Sequence, residues 1–552
     1  MNKNEVWDVI VVGAGSSGCV VANRLAQIPH LKVLLLEAGA SDWNPWLKLP
    51  IGYYRTMFDG RYSWRFKGEP EDGLDGRVIE HPRGKVLGGS SAINGLVYIR
   101  GAASDYDSWA TLLGDSSWNY ENVLPFFQAS ERNHDIRDEF HGSDGSLDVA
   151  FPRYKNEFLD AFISDAVALG IPFNADFNGR QLSGVGRFQL TAARGIRSSA
   201  ARAFLRRKPS NLEVRVRQQV NRIILDNGRA VGVEVHGPNG NVSRINCRNE
   251  VVVCAGAINT PKLLQLSGIG AAGLLERIGV QVKVDNPEIG SNLQDHIQVR
   301  MSHETDEKHS LNALQRSWLR RLRAGTRYVW RRDGELTVGA GVVGLFAYSE
   351  TGLPAPDLQM HVIPFSAAQP GRLHSVGGVT TSICGLRPYS RGSVEAVSSD
   401  SRHPPRLRFN YLSDARDYQP LREGLRLASK VLDGVNVSKL IKSRLFPAAI
   451  DLRDDVSLDS YIRSCATTIF HPAGTCAMGH NGRGAVDSRM RVHGVNGLRV
   501  ADASIMPSIV SGNINSACMM IGERAAWEIA GSLSGAGATP NAHLAHPTMR
   551  DQ

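Results

Sequence analysis

One histidine lies in a segment suited to proton transfer. His471 stands between an apolar run and Pro472, within FHPAGTCAMG at residues 470–479, and this segment predicts irregular backbone. A neutral imidazole titrates near working pH, so His471 can take the proton of a hydroxyl group. The later segment GNIN, residues 512–515, offers two asparagines. Either would cap the helix that follows, and an amide beside His471 would hold a substrate oxygen. Spacing alone does not bring the two segments together.

A glycine-rich turn near the N-terminus predicts a dinucleotide site. Residues 13–18 read GAGSSG, the GxGxxG pattern, after a predicted strand at 6–12 and at the start of a predicted helix at 16–28. The glycines permit a tight turn and let a pyrophosphate approach the helix N-terminus. Glu37 ends a second predicted strand at 32–36, where its carboxylate is placed to bind a ribose 2′-hydroxyl. The β-α-β unit is typical of NAD or FAD binding, and the motif does not separate the two.

Three further segments rich in small residues predict a long ligand. Residues 83–95 (RGKVLGGSSAING) combine glycines with serine and asparagine donors. Residues 254–270 follow a predicted strand and present a helix N-terminus, with a proline in its first turn, to an anion. Asp502 ends a predicted strand at 498–501, where it can accept a bond from a sugar or ribityl hydroxyl. Together with residues 13–18, these segments suit a ligand with adenosine, pyrophosphate and a second sugar-like arm.

Several other chemistries lack their sequence signatures. The chain has no GxSxG nucleophile motif, no GxxxxGK[ST] phosphate loop and no HExxH metal pair. Its seven cysteines are odd in number, widely spread and without a CxxC pair, so they indicate neither a disulfide framework nor a zinc site. The sequence therefore predicts buried thiols in a reducing compartment and no metal centre.

The composition excludes a disordered chain and a collagen-like one. The 552 residues are 42% hydrophobic, and 63 Lys and Arg against 54 Asp and Glu give a formal net charge of +9. The one dense basic stretch, residues 316–332, predicts either a surface for anionic lipid or a partner, or a solvated helix with snorkelling arginines. Nucleic-acid binding is not indicated.

No apolar run is long enough to span a bilayer, and a predicted strand begins by Val6, which leaves no room for a signal peptide, so we expect a cytoplasmic protein. If the basic stretch contacts lipid, the protein would lie peripherally on the inner membrane face.

The elements that must position these residues change in pattern along the chain. Further strands are predicted at 212–216, 229–235 and 250–254, in a pattern similar to that of the N-terminal β-α-β unit. The pattern at 357–363, 378–386 and 393–397 instead predicts strands of an antiparallel sheet. The predicted longer helices lie at 158–170, from about Thr260, from about Asp414 to Leu432, and at 515–530.

In this order, the clusters resemble the glucose–methanol–choline (GMC) oxidoreductase family, from about Val6 to about Ile529. The resemblance is carried by GGSSAING and YIRG within residues 84–107, by GAINTPKLLQLSGIG at 256–270, and by HPAGTCAMG, VADASIMP and GNIN. Within the family, the chain looks most like bacterial choline and alcohol dehydrogenases. The combination is far more specific than GxGxxG alone.

The resemblance implies an α/β protein (α+β overall), with a Rossmann-like FAD-binding domain and an interleaved substrate domain built on an antiparallel sheet. The expected FAD-binding domain is discontinuous, at 1–155, 190–300 and 460–530. The expected substrate domain takes 156–189 and 301–459, and 531–552 is expected to be a flexible tail.

The resemblance also assigns roles. His471 corresponds to the family's active-site histidine and Asn515 to its partner, which is histidine or asparagine across members. His471 would accept the hydroxyl proton of a primary alcohol while hydride passes to flavin N5, giving an aldehyde. The implied FAD-binding residues are Gly13, Gly15, Ser16, Ser17, Gly18, Glu37, Ala38, Gly89, Ser90, Asn94, Gly95, Leu96, Val97, Val220, Ala255, Asp502, Ala503 and Asn513.

Two positions depart from relatives with known features. Some members attach FAD covalently through a histidine in the GGSS segment, where this chain has Ile93. We therefore expect noncovalent FAD. Choline-type members carry an acid in the middle segment, and a rough alignment places Val342 there. This favours a neutral or apolar alcohol over choline.

Alternative functions stay open at this point. Some family members hold FAD yet cleave hydroxynitriles without redox turnover, and choline dehydrogenase or oxidase activity is a further alternative. An NAD-dependent dehydrogenase would give a colourless protein instead of a yellow one. The sequence leaves the electron acceptor as O₂ or a quinone-type carrier, and the protein as a monomer or a homodimer.

Overall fold

The protein is built around two seven-stranded sheets. A computed structural model describes residues 5–237, 240–369 and 372–533, and both sheets lie within these ranges. One sheet is mostly parallel and the other antiparallel throughout, which confirms the predicted fold class.

The first sheet combines both ends of the chain. Its central strands are buried along nearly their whole length, as expected for parallel strands covered by helices on both faces. The predicted strand at 250–254 is the end of a longer strand, whose first half forms an antiparallel hairpin. In spatial order the sheet runs Leu212–Arg215, Val33–Leu36, Val6–Val12, Val242–Val253, Arg229–His236 and Gln219–Asp226, with Leu498–Val500 paired parallel to the end of Val242–Val253.

The second sheet confirms the antiparallel strands predicted near 357–363 and 378–386. Its spatial order is Ile441–Phe446, Ile297–Thr305, Gly378–Gly385, Leu358–Ile363, Val343–Ala347 and Gly184–Arg187, with Thr467–Thr468 paired to the start of Ile297–Thr305.

The strand predicted at 393–397 does not join this sheet. Ser393–Glu395 pairs with Arg406–Arg408, and Val394 also bonds to the backbone of Gly290, which holds the segment away from the sheet. Further short pairs are Phe66–Glu71 with Arg77–His81, Glu131–Asn133 with Leu147–Val149, Ala192–Ala193 with Ile196–Arg197, Ile269–Gly270 with Val284–Asp285, and Ala367–Gln369 with Arg372–Leu373.

Helices cover both sheets. Ser16–Leu25 packs against Asn515–Leu533 beside the first sheet, and Tyr418–Leu432 packs on the second. The α-helices of the described residues are Ser16–Leu25, Tyr53–Thr56, Ala103–Leu113, Tyr120–Ser130, Glu157–Ala168, Gly256–Leu266, Ala272–Arg277, Ala313–Arg316, Trp318–Arg331, Tyr418–Leu432, Asp455–Cys465 and Asn515–Leu533.

The helix predicted from about Thr260 begins earlier, at Gly256. Oδ2 of Asp502 accepts hydrogen bonds from the Gly256 N–H at 2.8 Å and from the Thr260 hydroxyl at 2.6 Å. A carboxylate stabilises a helix N-terminus. This one comes from a residue far along the chain, so the local sequence does not signal the start.

The basic stretch forms an amphipathic helix, Trp318–Arg331, with buried residues on one side only. Ala324 and Tyr328 are buried against the protein, whereas Trp318 and Trp330 are 65% and 86% exposed. Within the described ranges, no helix combines the length and the apolar character that a bilayer crossing requires.

The exact domain boundaries stay a prediction. The first sheet draws its strands from residues 6–253 and 498–500, so its chain segments are discontinuous. The expected boundary at 300 falls inside the strand Ile297–Thr305, and Thr467–Thr468, expected in an FAD segment, pairs with the second sheet. The expected tail at 531–552 is wrong for its first three residues, which end the helix Asn515–Leu533, and from residue 534 onward it lies outside the described residues.

Candidate active site

A cavity of about 670 Å³ extends from the strand ends of the first sheet to one face of the second. Its wall at the first sheet includes Val12 and Leu36, where two parallel strands end. Its opposite wall includes side chains of the strands Ile297–Thr305 and Gly378–Gly385. Ligands of open α/β sheets bind at such carboxyl ends of strands.

Glycines let three loops meet at the first-sheet end. Gly13 has φ of +99°, and a Cβ there would lie 2.5 Å from the Cys254 carbonyl oxygen. A Cβ on Gly89 would lie 2.6 Å from Cα of Gly15. The glycine clusters therefore touch one another as well as lining the cavity, and a side chain at these contacts would force the loops apart.

The structure brings the predicted FAD-binding residues together, with one exception. Gly18 does not line the cavity, because a Cβ at this position would lie 1.9 Å from the Gly13 carbonyl oxygen; its role is close packing of helix on turn. The remaining predicted residues that line the cavity are Gly13, Gly15, Ser16, Ser17, Glu37, Ala38, Gly89, Ser90, Asn94, Gly95, Leu96, Val97, Val220, Ala255, Asp502, Ala503 and Asn513.

The two carboxylates of this end are already held by the protein. Glu37 accepts the backbone N–H of Ala14 at 3.0 Å and of Gly39 at 2.7 Å. Burial raises the pKa of Glu37 to about 7, although both N–H bonds oppose the shift. Asp502 accepts the Ser504 N–H through its other oxygen. A carboxylate has about four acceptor positions, so each retains capacity for a ligand hydroxyl.

The backbone around His471 is fixed from both sides. Phe470 adopts φ of +70°, and the Thr468 hydroxyl accepts its N–H at 2.7 Å while Arg83 donates to its carbonyl at 2.6 Å. Asp295 accepts the His471 N–H at 2.7 Å. A left-handed conformation at a bulky residue persists only where its surroundings enforce it. These bonds aim the imidazole into the cavity.

A backbone carbonyl fixes the tautomers of two histidines. Nε2 of His296 lies 3.0 Å from the Leu386 carbonyl oxygen, which only accepts, so Nε2 carries the proton. Burial lowers the pKa of His296 to about 4, so its Nδ1 is unprotonated and accepts. Nδ1 of His471, at 3.1 Å, must therefore be the donor. Neutral His471 consequently presents an unprotonated Nε2 to the cavity.

The amide beside His471 belongs to Asn513. Its Nδ2 lies 3.2 Å from Nε2 of His471 and donates to it. Asn515, expected at this place, instead accepts the Ser16 hydroxyl at 2.7 Å, and so joins the N-termini of two helices at the dinucleotide turn. The expectation for the two asparagines is corrected: the structure sets Asn513 against the histidine and Asn515 at the cofactor end.

The electrostatic surroundings keep His471 neutral. Burial, reinforced by His296, His361 and Arg83, places the pKa of His471 well below its ordinary value. The imidazole therefore keeps its free Nε2 at neutral pH, the form that accepts a proton.

The polar face of the second sheet is absent from the sequence predictions. Gln298, Arg300 and Ser302 line the cavity, while Val299 and Met301 between them are buried in the core on the other face. This two-residue alternation is the signal that could have revealed it. Val342, which the rough alignment places at the position of an acid, packs in that core and does not line the cavity.

The site thus combines glycine turns that a dinucleotide could approach with a neutral histidine and an amide donor, an arrangement suited to a flavin-dependent oxidoreductase. GMC oxidoreductase models match residues 7–298 and 388–522. The chain belongs to the GMC oxidoreductase family, and it is an oxidoreductase that acts on CH–OH donors.

Curated relatives extend over nearly the whole chain. Oxygen-dependent choline dehydrogenase of Photobacterium profundum is 36% identical over 536 residues, covering 96% of this chain and 94% of that protein. Alcohol dehydrogenase (acceptor) of Pseudomonas putida is 37% identical over 528 residues, covering 94% and 95%.

Solved structures share the fold. Pyridoxine 4-oxidase from Mesorbium loti superimposes with a TM-score of 0.85 at 27% identity, covering 94% of this chain and 98% of that chain. Formate oxidase of Aspergillus oryzae RIB40 gives 0.90 at 26% identity, covering 97% and 100%. The cavity residues fit FAD, because the glycine turns leave backbone accessible where a pyrophosphate must approach and a buried carboxylate stands at the second strand end.

Substitutions of the two asparagines should have different effects. Asn513→Ala removes the amide donor beside the base, so we expect the rate of flavin reduction by alcohol to fall about 10²–10³-fold. Asn515→Ala should leave that rate near normal and weaken FAD retention. Stopped-flow reduction and FAD titration measure the two effects. Asn513→His, which keeps a ring N–H donor, serves as the conservative control; equal rate losses at both positions would contradict the assignment.

Replacing His296 should disturb the proton position on His471. In His296→Phe, the Nδ1–H of His471 loses its acceptor, so the other tautomer competes and the limiting rate of flavin reduction should fall about 10²-fold or more. His296→Gln retains a side-chain oxygen acceptor and should recover part of the rate. The substrate dissociation constant should change little in either variant. A loss in substrate binding alone, at unchanged limiting rate, would show that His296 does not act through His471.

Proposed function

We propose that the protein oxidises a primary alcohol to an aldehyde, using noncovalently bound FAD and His471 as the base. The observation that carries the proposal is the unprotonated Nε2 of His471, which faces the cavity beside the Nδ2 donor of Asn513. FAD, when bound, supplies the acceptor for the hydride of the alcohol carbon. Family membership and the names of the relatives support the same activity.

The chain's own residues would hold the alcohol and take its proton. The substrate oxygen accepts from Asn513 Nδ2 and its hydroxyl donates to His471 Nε2, so the substrate inserts into a hydrogen bond already present. The Nδ1–H of His471 stays on His296 throughout, which keeps the ring orientation fixed as the imidazolium forms.

Noncovalent attachment is part of the proposal. Ile93 lines the cavity and is buried. Its hydrocarbon side chain has no atom that forms a bond to a flavin methyl group, unlike the histidine of covalently flavinylated members. The glycine turns and Glu37 would therefore hold FAD by hydrogen bonds and packing alone.

Choline oxidation is the second candidate, and the name of the relative from Photobacterium profundum favours it. A quaternary ammonium group is recognised by aromatic faces and carboxylates. Among described lining residues, Tyr53, Phe58 and Phe470 supply aromatic faces, but Glu37 and Asp502 are the lining carboxylates and both lie at the cofactor end. The cavity therefore favours an uncharged or anionic alcohol.

Two further elements of the proposal concern turnover. The reduced flavin would pass its electrons to O₂ or to a quinone-type carrier. A hydroxynitrile lyase, the alternative from the sequence, would use His471 for proton transfer and leave the flavin oxidised.

The proposed oligomeric state is a monomer or a homodimer.

An anaerobic panel of alcohols tests the activity. We expect neutral primary alcohols to bleach the yellow protein, choline to do so poorly, and His471→Ala to slow bleaching about 10²–10⁴-fold with FAD still bound. Acid precipitation of the holoenzyme should release the flavin into the supernatant. Cleavage of a hydroxynitrile without bleaching by any alcohol would replace the proposal with the lyase. Efficient bleaching by choline alone would replace it with choline oxidation.

We also propose that the helix Trp318–Arg331 contacts an anionic membrane surface. Its exposed apolar residues are spaced to share one helix face and are Trp318, Leu319, Leu322, Val329 and Trp330. Arg321 and Arg323 form no ion pair with an acidic residue among the described residues, in contrast to Arg320 and Arg327. Apolar side chains flanked by unpaired arginines are complementary to the interface of an anionic bilayer.

Vesicle flotation tests the membrane contact. The protein should float with phosphatidylglycerol-containing vesicles at low salt, weakly with pure phosphatidylcholine, and less as ionic strength rises. Trp318→Ser with Trp330→Ser should reduce flotation at least tenfold. Trp43, 79% exposed and outside this helix, provides the matched control as Trp43→Ser. Equal flotation of both variants would contradict the contact.

A further inference from the structure

The end of the cavity at the second sheet carries a guanidinium without a counterion. Arg300 lines the cavity and is half-buried, and its side chain makes no hydrogen bond or ion pair with any described residue. Burial lowers the pKa of Arg300, and the neighbours that oppose the shift are tyrosines and a cysteine, with no carboxylate among them. An unpaired charge inside a protein is costly, so such a group points to an anionic ligand.

A row of polar side chains crosses the sheet beside Arg300. Arg300 pairs with Ser382 on the neighbouring strand, and Ser382 pairs with His361 on the next. All three residues line the cavity. Nε2 of His361 is buried without a hydrogen-bond partner among the described atoms. The row thus offers a guanidinium, a hydroxyl and an imidazole nitrogen side by side, on a single face of the sheet.

The surroundings reinforce the positive charge. Arg197 is buried, and its Nε and Nη2 atoms also lack partners within the described structure. Tyr53, which lines the cavity, interacts electrostatically with both Arg300 and Arg197. The carboxylates of the described lining, Glu37 and Asp502, already accept backbone N–H groups at the cofactor end. Low-dielectric walls with one sign of charge concentrate the field on a ligand of the opposite sign.

The distance from the base limits the position of the anionic group. His296, which contacts His471, precedes Arg300 by four residues on an extended segment, a rise of roughly 13 Å at about 3.3 Å per residue. A group bound by Arg300 therefore stands several bonds away from a carbon that reacts beside His471. Three aromatic rings line the cavity near these groups: Phe58 packs against Phe470, the neighbour of His471, and Tyr54 packs against Phe365 and interacts electrostatically with Arg300, so the lining suits a ring or an alkyl chain.

We propose that the substrate is an alcohol that carries a carboxylate several bonds from its hydroxyl group, and that Arg300 binds this carboxylate. A guanidinium matches a carboxylate with two parallel N–H donors, which fixes the far end of the substrate and aligns its hydroxyl with His471. This inference rests on the proposed alcohol oxidation and adds the substrate class. It also predicts that a cationic alcohol such as choline binds less well than an anionic one.

Matched substrates isolate the effect of the charge. The first set is 4-(hydroxymethyl)benzoate, its methyl ester, benzyl alcohol and 4-(aminomethyl)benzyl alcohol; the second is 6-hydroxyhexanoate with 1-hexanol. Anaerobic flavin reduction gives a dissociation constant and a limiting rate for each. We expect the holoenzyme to bind the acid of at least one set about ten- to a hundredfold more tightly than its neutral analogues, and to bind the amine least well.

Variants of Arg300 test whether this residue causes the preference for the acid. Arg300→Ala should raise the dissociation constant for the acid by about ten- to a hundredfold, leave its limiting rate near normal, and leave the neutral alcohols unchanged. Arg300→Lys, which keeps the charge but loses the planar fork, should recover part of the binding. Unchanged kinetics with neutral alcohols show that the variants fold and hold FAD.

Binding without turnover separates the inference from the proposed function. Benzoate, which has no hydroxyl to oxidise, should perturb the flavin spectrum of the wild-type holoenzyme and should do so much more weakly in Arg300→Ala. If neutral alcohols bleach the flavin but neither acids nor benzoate show a preference that depends on Arg300, the carboxylate assignment is overturned while alcohol oxidation stands. If benzoate binds through Arg300 but no alcohol bleaches the flavin, the proposed function fails and the anion site stands.

Discussion

The close approach of three backbone loops is the constraint on which the cofactor end depends. Gly13 stands against the carbonyl of Cys254, and Gly89 stands against Cα of Gly15, at separations that no Cβ would tolerate. Because these loops are widely separated along the chain, their contact closes the cavity wall and joins distant segments. The strand Leu498–Val500 and Asp502 then complete the wall from the C-terminal end. The high glycine content of the chain follows partly from this mutual packing, and only partly from contact with a ligand.

Proton placement at the reacting end depends on a single backbone carbonyl. Leu386 accepts from His296, His296 then accepts from His471, and Asn513 donates to the remaining nitrogen. Each link is forced by the one before it, because a carbonyl oxygen cannot donate. The order survives proton uptake at Nε2, since the Nδ1–H bond is unchanged. A histidine held in this way needs no carboxylate on its ring to fix its tautomer.

Much of the fold is predictable because its signals are local. The strands at 6–12 and 378–386 and the helix at 515–530 are long periodic or apolar runs, and the predicted bounds of all three lie within a few residues of those in the structure. The predicted start of the helix Gly256–Leu266 is wrong because its cap, Asp502, lies far along the chain. Local sequence cannot report such a partner.

The sequence predicts which segments line the candidate site, but it does not predict which of their side chains contact one another. Asn513 and Asn515 are both asparagines at the entry to one helix, and only the direction of each side chain decides that one meets His471 and the other Ser16. The roles of His296 and Leu386 could not be predicted at all, since a hydrogen bond to a carbonyl leaves no residue signature. Arg300 could have been found, because polar and apolar residues alternate around it and such alternation marks the exposed face of a strand as well as the strand itself.

The charged groups that line the cavity differ between its two ends. At the first sheet, buried carboxylates are satisfied by backbone N–H groups; Asp502 occupies the N-terminus of the helix Gly256–Leu266, and the N-terminus of the helix Ser16–Leu25 remains available to a pyrophosphate. At the second sheet, Arg300 has no acidic partner among the described residues, and burial together with His296, His361 and Arg83 depresses the pKa of His471. Arg300 is not among these groups and stands farther along the same extended segment as His296, away from the base. In the proposed function the two tasks are therefore carried by different groups, with Arg300 placed to fix the far end of an anionic alcohol and His471 placed to accept its hydroxyl proton.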